Sequence, residues 1–238
     1  MWSSHFKQAK VLLPVVHVQS LEQTLRNVAI AREAGCDGVF LINHDTADGK
    51  RPFSHQDLVE IATAVNDKFP HFWLGLNCLD LTARETFPYL PDFVNGLWVD
   101  NAKIDETTPL QPAADAIQTA RVSSEWNGLY FGGVSFKYQR SVTDNAQAAI
   151  IATRYMDVVT TSGAGTGTAA AVTKIQKMKQ AITPHPLAIA SGITPENIHQ
   201  YLPHADAFLV ATGISRSFYE LDQHRISLLC QAIRNYRV

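Results

Sequence analysis

Ionisable and hydrogen-bonding residues recur at the C-terminal edges of short apolar runs in this chain. His17 closes VLLPVVHV, Asn43, His44 and Asp45 end or follow GVFLIN, and Asn77 lies in FWLGLNCL. Asp100 and Asn101 come after Trp98-Val99, with Lys103 just beyond, and Ser135 and Lys137 end the run LYFGGVSF and its next residue. Histidine and carboxylate side chains suit general acid–base work, and a lysine can stabilise developing negative charge. His17, Asp100 and Lys137 are therefore the expected catalytic group. An unpaired carboxylate is costly to bury, so Lys137 is the expected partner of Asp100. A desolvated lysine can also act as a Schiff-base nucleophile, and both roles stay open for Lys137. His17, His44, Asp45 and Asp100 are metal-ligand types, but their spacing matches no metal motif, and neither metal nor organic cofactor is expected.

A second kind of chemistry is suggested by glycines. The segments ASGITPEN and VATGISRS each end an apolar run with a glycine beside a hydroxyl residue. A phosphate takes several backbone N–H groups pointing inward, and glycine lets the backbone approach with no Cβ in the way. A following helix N-terminus would add partial positive charge. Ser191, Gly192, Thr212, Gly213 and Ser215 are thus the expected phosphate cradle. On the plainer reading both glycines only make tight turns, and Thr194-Pro195 merely caps a helix. The stretch VVTTSGAGTGTAAA looks like a nucleotide motif, yet fails as one. A dinucleotide fingerprint wants a third glycine where Thr168 stands, and a P-loop wants a lysine that here is no nearer than Lys174. It reads instead as a wall beside the phosphate loops. Asn43, His44, Asn77, Thr161, Gly163, Gly165, Thr166 and Gly167 are the expected contacts to the rest of the substrate. The long segment NHDTADGKRPFSHQ is long enough for a lid.

These residues need a scaffold that delivers them to one place. The apolar runs lie at 11–18, 38–43, 72–79, 96–101, 129–136, 157–162, 186–191 and 206–212. They are continuous rather than alternating, as in strands buried on both faces. Helical spacing fills the gaps. Ser20 is a plausible N-cap before Leu21, with Gly35 past that helix's end, and Ser54 opens a helix through Leu58, Ile61, Ala62 and Val65. Thr194-Pro195-Glu196 is expected to start another, and Leu221 to Arg237 a closing one. Eight βα units predict a single (β/α)8 barrel spanning residues 1–238, since a doubly wound sheet seldom needs eight and would leave edges. In such barrels loops at the C-terminal strand ends build the active site, and those after strands seven and eight commonly hold phosphate.

Composition narrows the partners. The net charge is −2, with no basic stripe, so nucleic acid is not an expected partner; a small phosphorylated ligand is. No apolar run approaches the ~18 residues of a membrane span, and the N-terminus lacks a signal-peptide pattern, so a cytoplasmic protein is expected. The three cysteines are far apart in sequence and read as buried hydrophobes. Trp2, Phe6 and Phe87-Pro88-Tyr89 either cover the barrel floor or form an interface, which leaves a homo-oligomer open.

The chain also resembles a known family, the BtpA family of TIM-barrel proteins. The resemblance runs from Pro14 to about Ser217. It is carried by PVVHV, AGCDGVFLINHDTADGKRPF, LGLNCLDLTA, GVSFKY, DVVTTSGAGTGTAA and IASGITPENIHQYLPHADAFLVATGISR. It implies a barrel with the phosphate-binding arrangement seen in phosphoribosyl-handling enzymes. It also implies relatives acting on nucleosides or sugars, or an accessory role in biogenesis of a membrane complex, since the family is named for photosystem I biogenesis. Three positions depart from the family's pattern: Asn43-His44 stands for Glu-Asn, Leu79-Asp80 for Arg-Asn, and Lys137-Tyr138 for Lys-His.

Overall fold

The computed structural model describes residues 2–44 and 53–237. Asp45 and most of the expected lid lie outside the described residues. Eight parallel strands close into a barrel in sequence order: β1 (Val11–His17), β2 (Gly38–Ile42), β3 (Trp73–Asn77), β4 (Gly96–Val99), β5 (Leu129–Gly133), β6 (Val158–Thr161), β7 (Leu187–Ala190) and β8 (Ala207–Val210). Every strand residue is buried, which is why the runs do not alternate. Most strands stop one to three residues before their apolar run ends. There the chain leaves the ladder, and the polar residues fall in the loops.

The helices are α1 (Trp2–His5), α2 (Leu21–Glu33), α3 (His55–Lys68), α4 (Ala83–Thr86), α5 (Pro112–Ser123), α6 (Asn145–Ala152), α7 (Val172–Ile182) and α8 (Gln223–Asn235). Ser20 caps α2 by accepting from the Gln23 N–H, and Ser54 with Asp57 forms a reciprocal capping box on α3. Gly35 follows α2 at φ +83°, a conformation that favours glycine. The expected helix at Thr194 does not form; a single 3₁₀ turn over Ile198–Gln200 stands in its place. The segment does open as a capped turn, with the Thr194 carbonyl accepting from the Asn197 and Ile198 N–H groups and Asn197 Oδ1 accepting from the Thr194 N–H, but the turn does not propagate. Pro203 then disfavours helical backbone at Leu202. The closing helix starts at Gln223 rather than Leu221, because Asp222 caps it through the His224 and Arg225 N–H groups. The Leu221 N–H is used instead by Asn27 Oδ1 at 3.0 Å.

Two cores follow from the strand alternation. Leu12, Leu41, Leu74, Leu97 and their neighbours pack outward under the helices. Inside the barrel, Phe40 meets Trp73, Trp98 and Phe131 edge to face at 5.2, 5.8 and 5.2 Å. Gly75 makes room, since a Cβ there would lie 2.3 Å from the Phe40 ring. Phe6 packs at a tilt beneath Trp73 at 5.2 Å with Trp2 packed against it, so these two cover the barrel floor. Phe87 is buried while Tyr89 is exposed. Cys36 and Cys230, distant in sequence, meet at 3.7 Å between the end of α2 and α8 as free thiols; Cys78 is separate. No helix of the described residues is long and apolar enough to cross a membrane.

Candidate active site

The barrel-facing series Val11, Leu13, Val15 ends at His17, and the series Trp73, Gly75 ends at Asn77. By the same alternation Asp100 follows Trp98 into the mouth of the barrel. His17, Asn77 and Asp100 thus come together at one end, above the aromatic interior. His17 Nδ1 lies 2.9 Å from the Phe218 carbonyl, and its ring stacks on Phe218 at 4.0 Å with His44 edge-on at 5.7 Å. A carbonyl can only accept, so Nδ1 carries the proton and Nε2 the lone pair. Burial pushes the His17 pKa down to about 4, with His44 and Lys137 adding to the effect and the Phe218 carbonyl opposing it. The ring is neutral near pH 7.

Asp100 is shifted the other way. Burial raises its pKa above the ordinary carboxylate value, against the pull of Lys137, the Asn77 hydrogen bond and His44. Asn77 Nδ2 donates to Asp100 Oδ1 at 3.2 Å. The expected Asp100–Lys137 ion pair does not form as a direct contact. Lys137 Nζ donates to Thr166 Oγ1 at 3.2 Å, so it acts on Asp100 only through its charge. The Lys137 N–H donates to Ser162 Oγ at 2.8 Å, which ties the loop after β5 to the end of β6. Among the described residues no three His, Cys, Asp or Glu side chains converge as a metal site would require, and Asp45 lies outside them.

At the same end of the barrel the glycine-bearing loops lock together. Ser191, at φ 98°, accepts from the Gly167 N–H and donates to the Gly165 carbonyl, both at 3.0 Å. The loop after β6 is thereby clamped onto the loop after β7. A Cβ on Gly192 would lie 2.3 Å from the backbone of Ala169, and one on Gly213 would lie 1.9 Å from the Ile193 carbonyl oxygen. Only glycine permits these three backbones to touch. Gly167, at φ +73°, stands over Thr212, whose Oγ1 would be 3.5 Å from an added Cβ. Ser215 Oγ donates back to the Ala211 carbonyl at 2.9 Å. Gly192 and Gly213 are both buried, and these close contacts hold their backbones on adjoining loops. Backbone N–H groups carried on adjoining glycine loops can form an anion-binding concavity. The partial charge expected from regular helices is supplied only by short 3₁₀ turns.

Other expected contacts serve the frame. Asn43 spends its amide on Phe53, Asp80 and Leu79, with Nδ2 donating to the Phe53 carbonyl at 2.9 Å and to Asp80 Oδ1 at 2.6 Å. Asp80 also accepts from the N–H and Nδ1 of His55, so two of the positions that depart from the family pattern form one knot between the loops after β2 and β3. Thr161 Oγ1 donates to the Ser135 carbonyl at 3.1 Å. Gly163 packs on the Thr168 carbonyl, while a Cβ on Gly165 would meet only Thr168 Oγ1, at an ordinary contact distance of 3.6 Å.

One participant gave no sequence signal. Lys174, on the first turn of α7, donates Nζ to the carbonyls of Ser135 and Ser162 at 2.6 and 2.9 Å. Burial lowers its pKa to about 8. It fastens the ends of β5 and β6, and in sequence it is an ordinary helix lysine. Backbone strain marks the same end of the barrel: Lys103, Ser135, Tyr138 and Ser191 all have positive φ and all lie in loops after strands.

The solved structures that resemble this chain support the fold. Phosphoribosyl anthranilate isomerase from Thermus thermophilus aligns with a TM-score of 0.64 at 14% identity, covering 95% of this chain and 100% of that one. (S)-3-O-geranylgeranylglyceryl phosphate synthase from Thermoplasma acidophilum, in complex with sn-glycerol-1-phosphate, aligns at 0.68 and 13%, covering 98% and 97%. In sequence, an uncharacterized protein of Pyrococcus abyssi (strain GE5 / Orsay) is 22% identical over 228 residues, 91% of this chain and 88% of that protein. The profile of the BtpA family matches residues 134–235, from the end of β5 to the last turn of α8. The family whose motifs the sequence resembles is thus the one whose profile the C-terminal part of the chain matches, over the stretch that carries the glycine-bearing loops of the site.

Proposed function

We propose that this chain is an enzyme that binds a phosphorylated sugar, or a phosphoribosyl or nucleoside-related small molecule, and performs acid–base chemistry on it. The observation that carries this reading is the close approach of the glycine backbones at Gly192 and Gly213 on loops clamped by Ser191, which gathers backbone N–H groups at one end of the barrel. They form the phosphate site, with Thr212 and Ser215 beside them. The loop of Gly163 to Thr166 forms the adjoining wall.

The reacting part of the ligand lies between that wall and the His17–Asp100 group. His17 Nε2, with its lone pair fixed by the Phe218 carbonyl, is the base. Asp100, its pKa raised by burial, is the group that returns a proton. Asn77 fixes the Asp100 carboxyl group, and Lys137 with Thr166 faces developing negative charge. Isomerisation, lyase cleavage and glycosidic-bond transfer or cleavage all use such a pair. A phosphomonoester bound in a barrel of the same fold, glycerol phosphate in the synthase from Thermoplasma, supports the ligand class.

Thermal shift with ribose 5-phosphate and with ribose tests the reading. At a hundred times its dissociation constant the phosphorylated sugar should add about 2.7 kcal/mol, and ribose nothing. Equal shifts, or none from either, would contradict it. Substituting Gly192 or Gly213 would not serve, since a side chain there collides with neighbouring backbone whether or not a ligand binds.

A further inference from the structure

A cavity of ≈ 350 Å³ opens beside Asn77 and Asp100, between the loops after β3 and β4 and the start of α5. Its walls are chiefly apolar: Cys78, Leu81, Ala83, Val99, Ala116 and Ile117. The space exists for local reasons. The third crossover spends only four residues on α4, and the facing turns of α5 present alanines at 113 and 116. The volume falls at the lower end of the range that encloses small-molecule groups. Nothing in the acid–base reading uses it.

Its place relates it to the site. In a closed ring of eight strands, β3 and β4 stand across the barrel from β7 and β8. Asn77 and Asp100 belong both to the cavity's lining and to the acid–base group, so the cavity adjoins that group. We infer that this cavity is a second substrate subsite, which takes an uncharged apolar group, alkyl or aromatic, at the end of the ligand remote from its phosphate. The inference rests on the proposed phosphate site. A ligand spanning the mouth would then carry its reacting centre past Asp100 and His17, between its two anchors. The apolar anchor also gives the site a means of choosing among phosphate esters, which the N–H groups of Gly192 and Gly213 do not distinguish.

A series of n-alkyl phosphates from methyl to heptyl, titrated by calorimetry, tests this directly. Affinity should rise about fourfold per methylene, the equivalent of ~0.8 kcal/mol per buried CH₂, and then level off as the cavity fills. Ala116→Phe, on the part-exposed face of α5, should fill the cavity and flatten that dependence while leaving methyl phosphate affinity unchanged. Methyl phosphate binding with no chain-length dependence in the native protein would overturn the subsite and spare the phosphate reading. So would a dependence that Ala116→Phe leaves intact, since the chain would then lie elsewhere. If methyl phosphate fails to bind, the phosphate reading falls, and the n-alkanols from methanol to heptanol report on the cavity alone. A dependence on length that Ala116→Phe removes would support the apolar subsite; no dependence would overturn it.

Discussion

His17 and Asp100 sit a few residues from hydrophobic core, and their titration behaviour follows from that position. A His17 that stays neutral in the folded protein down to about pH 4 is held below the ~6.5 of an unfolded chain. Between those values the unfolded state binds the extra proton, so stability falls as pH falls, by up to about 3 kcal/mol. Urea unfolding of the native protein and of His17→Gln from pH 7 to pH 4 should show a steeper loss for the native protein; parallel curves would contradict the assignment. Asp100 has the opposite sign. Its folded pKa is raised, so its contribution is complete at low pH and is lost as pH rises through the folded value. Asp100→Asn should therefore raise Tm at pH 7, with the gap closing towards acid pH, while turnover of a phosphorylated substrate falls about 10²–10⁴-fold. A variant that is less stable at pH 7 and fully active would exclude the role given to Asp100. The residue types of this group were legible because each stands at the end of an apolar run. What was not legible is the partnership: Lys137 reaches Thr166 rather than Asp100, and the Asn43–Asp80–His55 knot depends on loop paths that no local pattern encodes.

Strands were the most legible elements, since a strand buried on both faces announces itself as an unbroken apolar run. The ends were less so, because hydrophobicity continues past the last ladder pair into residues such as Val134 and Phe136, which stay buried in the helix-side core and the barrel interior respectively. The helix expected at Thr194 failed for a related reason. A good cap and a proline at the first position favour a start, but one turn closes on the Thr194 carbonyl and the chain then continues as a 3₁₀ turn. The glycine loops behave as one element built from three segments. Gly213→Ala should cost about 1–3 kcal/mol or more, because its methyl group meets the Ile193 carbonyl. Gly165→Ala should be close to neutral, its nearest neighbour being 3.6 Å away. Chemical denaturation of the two variants separates them, and equal losses would show that close backbone packing is not what these glycines provide.

At the scale of the whole molecule, the barrel turns strand order into position. That rule alone brought the ends of β1, β3 and β4 and the loops after β6, β7 and β8 to one rim of the barrel. Sequence order therefore said more about the site than any single motif did. The floor is sealed by Trp2 and Phe6, which leaves the C-terminal mouth as the end where polar groups gather. The central claim is that this mouth holds a phosphate on one side and works on the attached group from the other. A crystal structure of the protein with ribose 5-phosphate tests it most directly. The phosphate should accept hydrogen bonds from the N–H groups of Gly192 and Gly213 at about 2.7–3.2 Å, with the sugar directed towards His17 and Asp100. A sugar phosphate bound outside those loops, or none bound at saturating concentration, would contradict the claim.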